Sequence, residues 1–462
     1  MSRFILACGA IALALFAPPA ARAATDADLA EIREQIRQLK ESYEARIQSL
    51  EQRLKEAEAR ASAPGPQAAA APPEAVATPA APAPAMGIAA FNPAIAVVLQ
   101  GNYQNLKQDP ALYAFNNIQL GEDISPGRRG FGLGESEINF SANVDHLFAG
   151  NLVVSLEPDN SVSVEEAYGL VTALPYGLTP KFGRFFSGVG YMNEQHQHAW
   201  DFQDAPLAYQ AFLGEQFTQD GAQLKWVAPT DTLLEFGAEI GNGDAFPGSP
   251  RNSNGAGAWS AFVHAGGDVG ASSSWRAGVS YLETRAADRV GKLPDTAGNI
   301  AQTSFGGKTH TTIADFVWKY APDGNATRTN FKLQGEYFWQ RASGDLTFDS
   351  DEALGLTQTA AYSANQSGWY LQGIWQFMPM WRVGLRYDQL NQGSPDYGDN
   401  AAFLATDSFS PKRTTIMFDW TPSEFSRFRV QYAQNKERPG FTDNQFFLQY
   451  ILTLGAHGAH KF

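Results

Sequence analysis

From residue 94 onward the chain is a succession of short runs in which polar and apolar residues alternate, and the connections between them alternate in length. Runs start near Ala94, Gly132, Asn151, Val164, Leu178, Asp220, Asp231, Gly257, Ser273, His310, Arg328, Ser367, Trp381, Thr414, Ser426 and Asp443. The connections 146–150, 175–177, 229–230, 322–327, 378–380 and 422–424 are short and carry turn residues. Those at 107–131, 189–219, 241–256, 286–309, 342–366 and 391–413 are long. Two exceptions, near 158–163 and 436–442, both fall where a long connection is due. In one run Arg382, Arg386 and Asp388 alternate with Trp381, Val383, Leu385 and Tyr387. Such alternation fits a soluble sandwich as well as an inside-out barrel. The loop lengths separate them. A bilayer-spanning barrel turns tightly on one side and loops freely on the other, with about ten residues per strand. The expected fold is all-β: a 16-stranded antiparallel transmembrane β-barrel over residues 89–462.

Other features agree. No stretch approaches the roughly 20 apolar residues that a membrane helix needs, so a helical polytopic protein is excluded. The 12% aromatic content, 43 Gly and only 6 Met lean towards strands. Counting back by twos from Phe462 gives His460, Gly458, Ala456, Leu454, Leu452, Tyr450, Leu448 and Phe446, which resembles the C-terminal signal read by barrel-assembly machinery in Gram-negative bacteria. The net charge of −14 argues against a nucleic-acid partner, which requires a basic face.

Ahead of the barrel, residues 1–23 combine Arg3, the apolar stretch Phe4–Ala17 and Ala21-Arg22-Ala23, the pattern of a secretory signal. The apolar run before Cys8, the single cysteine, is too short for a lipoprotein signal, so the mature chain is expected to contain no thiol. Over 26–61, Leu29, Ile32, Ile36, Leu39, Tyr43, Ile47, Leu50 and Leu54 recur at spacings of three and four. This predicts a short α-helical coiled coil with a stutter, self-associating because one helix cannot bury its own stripe. A trimer is the first choice, although the seam residues do not decide the strand number. Residues 62–86 form an Ala/Pro linker, extended and semi-rigid.

Coiled coil, linker and a barrel of this size resemble trimeric outer-membrane porins of the phosphate-selective O/P type and their coiled-coil-bearing relatives. The tail Leu454–Phe462 also resembles exported proteins labelled zinc-regulated or TonB-dependent outer-membrane receptors. A TonB-dependent transporter, however, needs a plug and a roughly 22-stranded barrel, and only coiled coil and linker precede Ala94. The porin resemblance implies a homotrimer in outer-membrane lipid, a periplasmic coiled coil, passage of small hydrophilic solutes or ions, and a constriction loop between the fifth and sixth strands. That connection, 189–219, carries Trp200, Phe202, Tyr209, Phe212 and Leu213, more apolar than a solvated loop should be. Its acids are Glu194, Asp201, Asp204 and Glu215; the expected wall cations are Arg276, Lys319, Lys332, Arg382, Arg386, Arg427 and Arg429.

Acidic loop against basic wall would set up a transverse field, unless the cations pair with Glu235, Glu239, Asp315, Glu336, Asp388 and Asp419 on neighbouring strands. Residues 89–462 hold 25 Lys+Arg against 38 Asp+Glu. They therefore depart from the basic ring of the phosphate-selective members, and weak cation preference is expected. His196 and His198, two residues apart, are either a divalent-metal pair with Glu194 or Asp201 or ordinary loop polar residues. The alternative function is accordingly a receptor or transporter for a metal ion such as zinc or a metal chelate. A tether to peptidoglycan through 26–61 is a third reading. His264 and His310 have no recognisable nucleophile beside them, so no enzyme and no cofactor is expected.

Overall fold

A computed structural model describes residues 93–404 and 408–455. The signal segment, coiled coil, linker, Cys8, His457, His460 and Phe462 lie outside the described residues. Sixteen antiparallel strands close into a barrel. We number them β1 Ala94–Leu106, β2 Ser136–Asn143, β3 Phe148–Leu156, β4 Val162–Val171, β5 Leu178–Phe186, β6 Thr218–Val227, β7 Leu233–Gly241 and β8 Ala258–Val269. There follow β9 Ser273–Pro294, β10 Ile300–Tyr320, β11 Asn330–Phe348, β12 Gln358–Met378, β13 Trp381–Asn391, β14 Lys412–Ser423, β15 Ser426–Arg438 and β16 Phe441–Gly455. The segment Gly130–Leu133 extends β2 along β1. Closure runs through β1 and β16, paired from Ala96↔Gly455 to Leu106↔Gln445. Every strand start expected from the sequence lies in one of these strands or within two residues of it, except Gly132, which lies in the segment Gly130–Leu133 ahead of β2.

The faces are inverted relative to a soluble protein. Phe428 and Leu448 are 43% and 40% exposed, while Arg386, Asp419, Arg429 and Gln431 on the other face are buried inside the barrel. This disposes of the sandwich. Aromatic rings gather near the short turns, with Trp381, Trp420, Phe428 and Tyr450 forming a chain of contacts at 5.7, 5.4 and 4.5 Å between centroids. A second set, Tyr337–Trp339 and Trp369–Tyr387, lies on β11 to β13, further from the short turns. Two aromatic bands around an apolar belt are the pattern of a barrel surface in lipid. The short turns are self-capped. The Asp145 carboxylate accepts from the Leu147 and Phe148 N–H groups at 2.7 and 2.8 Å, and these bonds hold its carboxyl below the usual range.

Two expectations are corrected. Residues 286–309 and 342–366 are largely strand rather than loop, because β9 to β12 run for 22, 21, 19 and 21 residues. About ten residues are enough for a strand to cross a bilayer, and these strands are roughly twice that long. Beyond the apolar belt neither face has to be apolar, and the sequence alternation that marks the lower strands fades. The tall hairpins have their own core of Phe305, Leu346, Phe348, Tyr362 and Tyr397. For the same reason His310 lies within β10 rather than at its start.

One seam is weak. β4 and β5 pair only over Ala167–Leu170 against Arg184–Lys181, whereas β3 and β4 pair from Phe148↔Val171 to Leu156↔Val162. Gly183, at φ +125°, lets the backbones meet here; a Cβ would stand 2.1 Å from the Ala167 carbonyl oxygen. Towards the long-loop end the two strands part.

Candidate functional site

The connection between β5 and β6 folds into the barrel. Its first residues dock by backbone donors on wall carboxylates. Gly188 N–H donates to Glu239 at 2.8 Å, Tyr191 and Met192 N–H to Glu336 at 3.1 and 3.2 Å, and Tyr209 O–H to the same carboxylate at 2.9 Å. Glu239 and Glu336 thus hold the loop rather than balance a wall cation. Asn193 ties both ends together, donating to the Ser187 and Phe217 carbonyls and accepting from Phe217 N–H at 2.8 Å. After Pro206 the chain forms α1, Leu207–Leu213, started by Leu207 N–H on Asp388 at 2.9 Å and ended by Gly214 at φ +62°. All seven helical residues are buried. The packing against Phe338, Tyr370 and Leu390 explains the loop's apolar content: each large side chain removed from water stabilises it by about 1.5–3 kcal/mol.

The loop acids and wall cations meet directly. Asp201 pairs with Lys332 and with Arg382 at 3.2 Å. Asp204 pairs with Arg386 at 2.8 Å and Arg413 at 2.5 Å. Asp388 takes a second contact from each of these guanidinium groups, at 3.1 and 3.5 Å, and Asp419 pairs with Arg382 at 2.5 Å and Arg429 at 2.8 Å. Arg429 also donates to the Trp200 carbonyl at 3.0 Å, and Arg427 to that of His198. Arg276 stacks on Tyr191, 5.1 Å from its ring. Lys319 lines a cavity of about 860 Å3 that lies between the loop residues Tyr191, Gln195 and Asp201 and the short turn at Glu424–Phe425. Charges of opposite sign in contact cancel at a distance, so the network acts first as a clamp. Glu194 reaches away to Lys225 at 2.7 Å, and Glu215 is held within the loop, where its N–H donates to the Tyr209 carbonyl at 3.1 Å.

The histidines find other partners than expected. Glu194 and Asp201 are engaged elsewhere, and His196 and His198 face the opposite wall. His196 Nδ1 lies 3.1 Å from Glu165 and 3.3 Å from Glu137, and its Nε2 lies 3.2 Å from Glu166. His198 Nδ1 lies 2.7 Å from Glu137. His264 is fully buried beside Glu235 at 3.0 Å, and His310 contacts the Tyr281 hydroxyl at 2.7 Å.

A second inserted segment comes from 107–131, which in sequence reads only as one of the long connections. Tyr113, Phe115, Ile118 and Leu120 are buried against α1, and Tyr113 O–H donates to Gln210 at 2.6 Å. Arg289, sandwiched between Phe246 and Phe305 at 4.9 and 4.5 Å, donates to Gln119 at 2.6 Å. Apolar content, the signal that marked 189–219, was present here too. Arg413 was also missed.

Fold and site define a closed sixteen-stranded barrel whose interior is crossed by two inserted segments, one of them clamped by buried ion pairs. No family model matches the chain. It belongs to the same family as a chain of Aquifex aeolicus (strain VF5) described as "Uncharacterized protein", 31% identical over 402 residues that span 81% of this chain and 80% of that one. Solved barrels similar to it include the loop L8 deletion mutant of OmpT, an outer membrane protein of Vibrio cholerae (TM-score 0.47, 12% identity, 79% of this chain and 99% of that). Others are the outer membrane channel DcaP of Acinetobacter baumannii (0.46, 13%, 79% and 97%) and an anion-selective porin from Comamonas acidovorans (0.46, 10%, 79% and 99%).

Proposed function

We propose that this chain is an outer-membrane porin, a homotrimer that lets small hydrophilic solutes or ions pass down their gradients. The supporting observation is the inversion of faces: charged and amide side chains line the interior of a closed barrel whose outer surface is apolar and banded with aromatics. Such a surface is stable in lipid, and such an interior is stable only when wet or filled by polar contacts. The loop 189–219 is the constriction, with Asp201 and Asp204 on its inner course and Arg382, Arg386, Arg427 and Arg429 opposite. Two inserted segments instead of one make the path narrow and the unitary conductance small.

Planar-bilayer recording tests this. Ohmic openings in groups of three are expected, and deletion of residues 195–212 should enlarge each step. A bilayer that stays silent with folded protein, or steps unchanged by the deletion, would refute the reading. The alternative, a metal receptor or transporter using His196 and His198, would have to draw its carboxylates from elsewhere than Glu194 and Asp201, which pair with Lys225 and with Lys332 and Arg382.

A further inference from the structure

The weak seam between β4 and β5 carries a group of side chains that conduction does not require. β4 holds one residue more than its partner needs: Val153 pairs with Glu166 and Val154 with Val164, leaving Glu165 as a bulge. Paired residues share a face of a sheet, so a regular strand would send Glu165 and Glu166 to opposite sides. The bulge turns both inward, a common use of such an irregularity. They flank His196, Glu165 on Nδ1 and Glu166 on Nε2. Glu137 of β2 completes the group on the Nδ1 side. One ligand atom from each of Glu137, Glu165 and His196 lies within 4.8 Å of the others.

We propose that Glu137, Glu165 and His196 form a binding site for a divalent first-row transition cation, with zinc or manganese as its chemical type. The imidazole selects against Ca2+ and Mg2+, which take oxygen alone, and the carboxylates match the harder members of the transition series. Two ionised carboxylates neutralise one dication. In the cation-bound state Glu166 would accept the proton on Nε2, and Nδ1, released from its contacts with Glu165 and Glu137, would offer its lone pair to the ion. This is the carboxylate–histidine arrangement that orients metal-bound imidazoles. Three protein ligands leave a coordination position open for water. Entry is provided by a cavity of about 460 Å3 lined by Ser163, Glu165, Arg184, Phe186 and Glu215. The bound cation would join β2, β4 and the inserted loop where the backbone ladder between β4 and β5 is missing. The proposal is independent of which solutes the barrel passes.

The test uses the full chain in detergent, stripped with a chelator and titrated with Zn2+ against a chromophoric competitor. One equivalent per chain is expected, retained when His457 and His460 are both replaced by Ala. His196→Ala and Glu165→Gln should abolish stoichiometric binding, Glu166→Gln should weaken it by about 10–100-fold, and Glu194→Gln should leave it unchanged. Heat-modifiable migration confirms that each variant is folded. Absence of binding by the parent chain, or its persistence in folded His196→Ala and Glu165→Gln proteins, overturns the proposal. Bilayer conductance of the same preparations reports separately on the porin reading.

Discussion

The inserted loop touches two walls of the barrel by two kinds of chemistry. Towards β11 to β15 it is held by carboxylate–guanidinium and carboxylate–ammonium pairs, Asp201 with Lys332 and Arg382, and Asp204 with Arg386 and Arg413. Towards β2 and β4 it is held by imidazoles among glutamates. The first wall has a continuous ladder behind it, with β13 and β14 paired from Trp381↔Trp420 to Gln389↔Lys412. The second has the split seam. A rigid wall can carry charges that need fixed geometry, because buried pairs repay their desolvation only when well placed. The split wall is bridged by side chains instead of backbone.

Removing both guanidinium groups at the rigid wall breaks this comparison most severely. Arg382→Ala with Arg386→Ala leaves Asp201, Asp204, Asp388 and Asp419 short of partners, at about 3–5 kcal/mol for each broken buried pair. The backbone ladder should keep the barrel closed while the loop leaves the wall. Conductance should rise, and the reversal potential in a salt gradient should move towards cation selectivity; an unchanged potential would place these arginines away from the path. Asp204→Ala alone should have a smaller effect, about 3–5 kcal/mol in detergent–urea unfolding, with noisier channels but little change in selectivity. His196→Ala in chelated protein should be smallest, about 1–3 kcal/mol. If it matched Asp204→Ala, the distinction between the two walls would disappear.

Much of this was readable in advance, for a physical reason. A strand with a polar inner face and an apolar outer face must alternate, so Arg382, Arg386 and Asp388 declare their face and β13 its place. The loop declared itself by Trp200, Phe202 and Phe212, which no solvated segment would carry. Where the apolar belt ends, that constraint ends, and the upper halves of β9 to β12 carry no such signal. Tyr113, Phe115 and Ile118 carry the same apolar signal as the inserted loop 189–219, but it is interrupted by Asn116, Asn117 and Gln119, whose polar groups find partners inside the barrel. The partners of His196 could not be read at all. Glu137 lies far away in sequence, and adjacent glutamates on a strand ordinarily face opposite ways.

That last irregularity has a further consequence. Without Glu165 the strand would run Val162 outward, Ser163 inward, Val164 outward and Glu166 inward, in unbroken phase with β3. The additional residue therefore shifts no neighbour from one environment to the other. It is a splice that the barrel tolerates whole, adding a carboxylate to the interior while the parity of every other position on the strand is conserved.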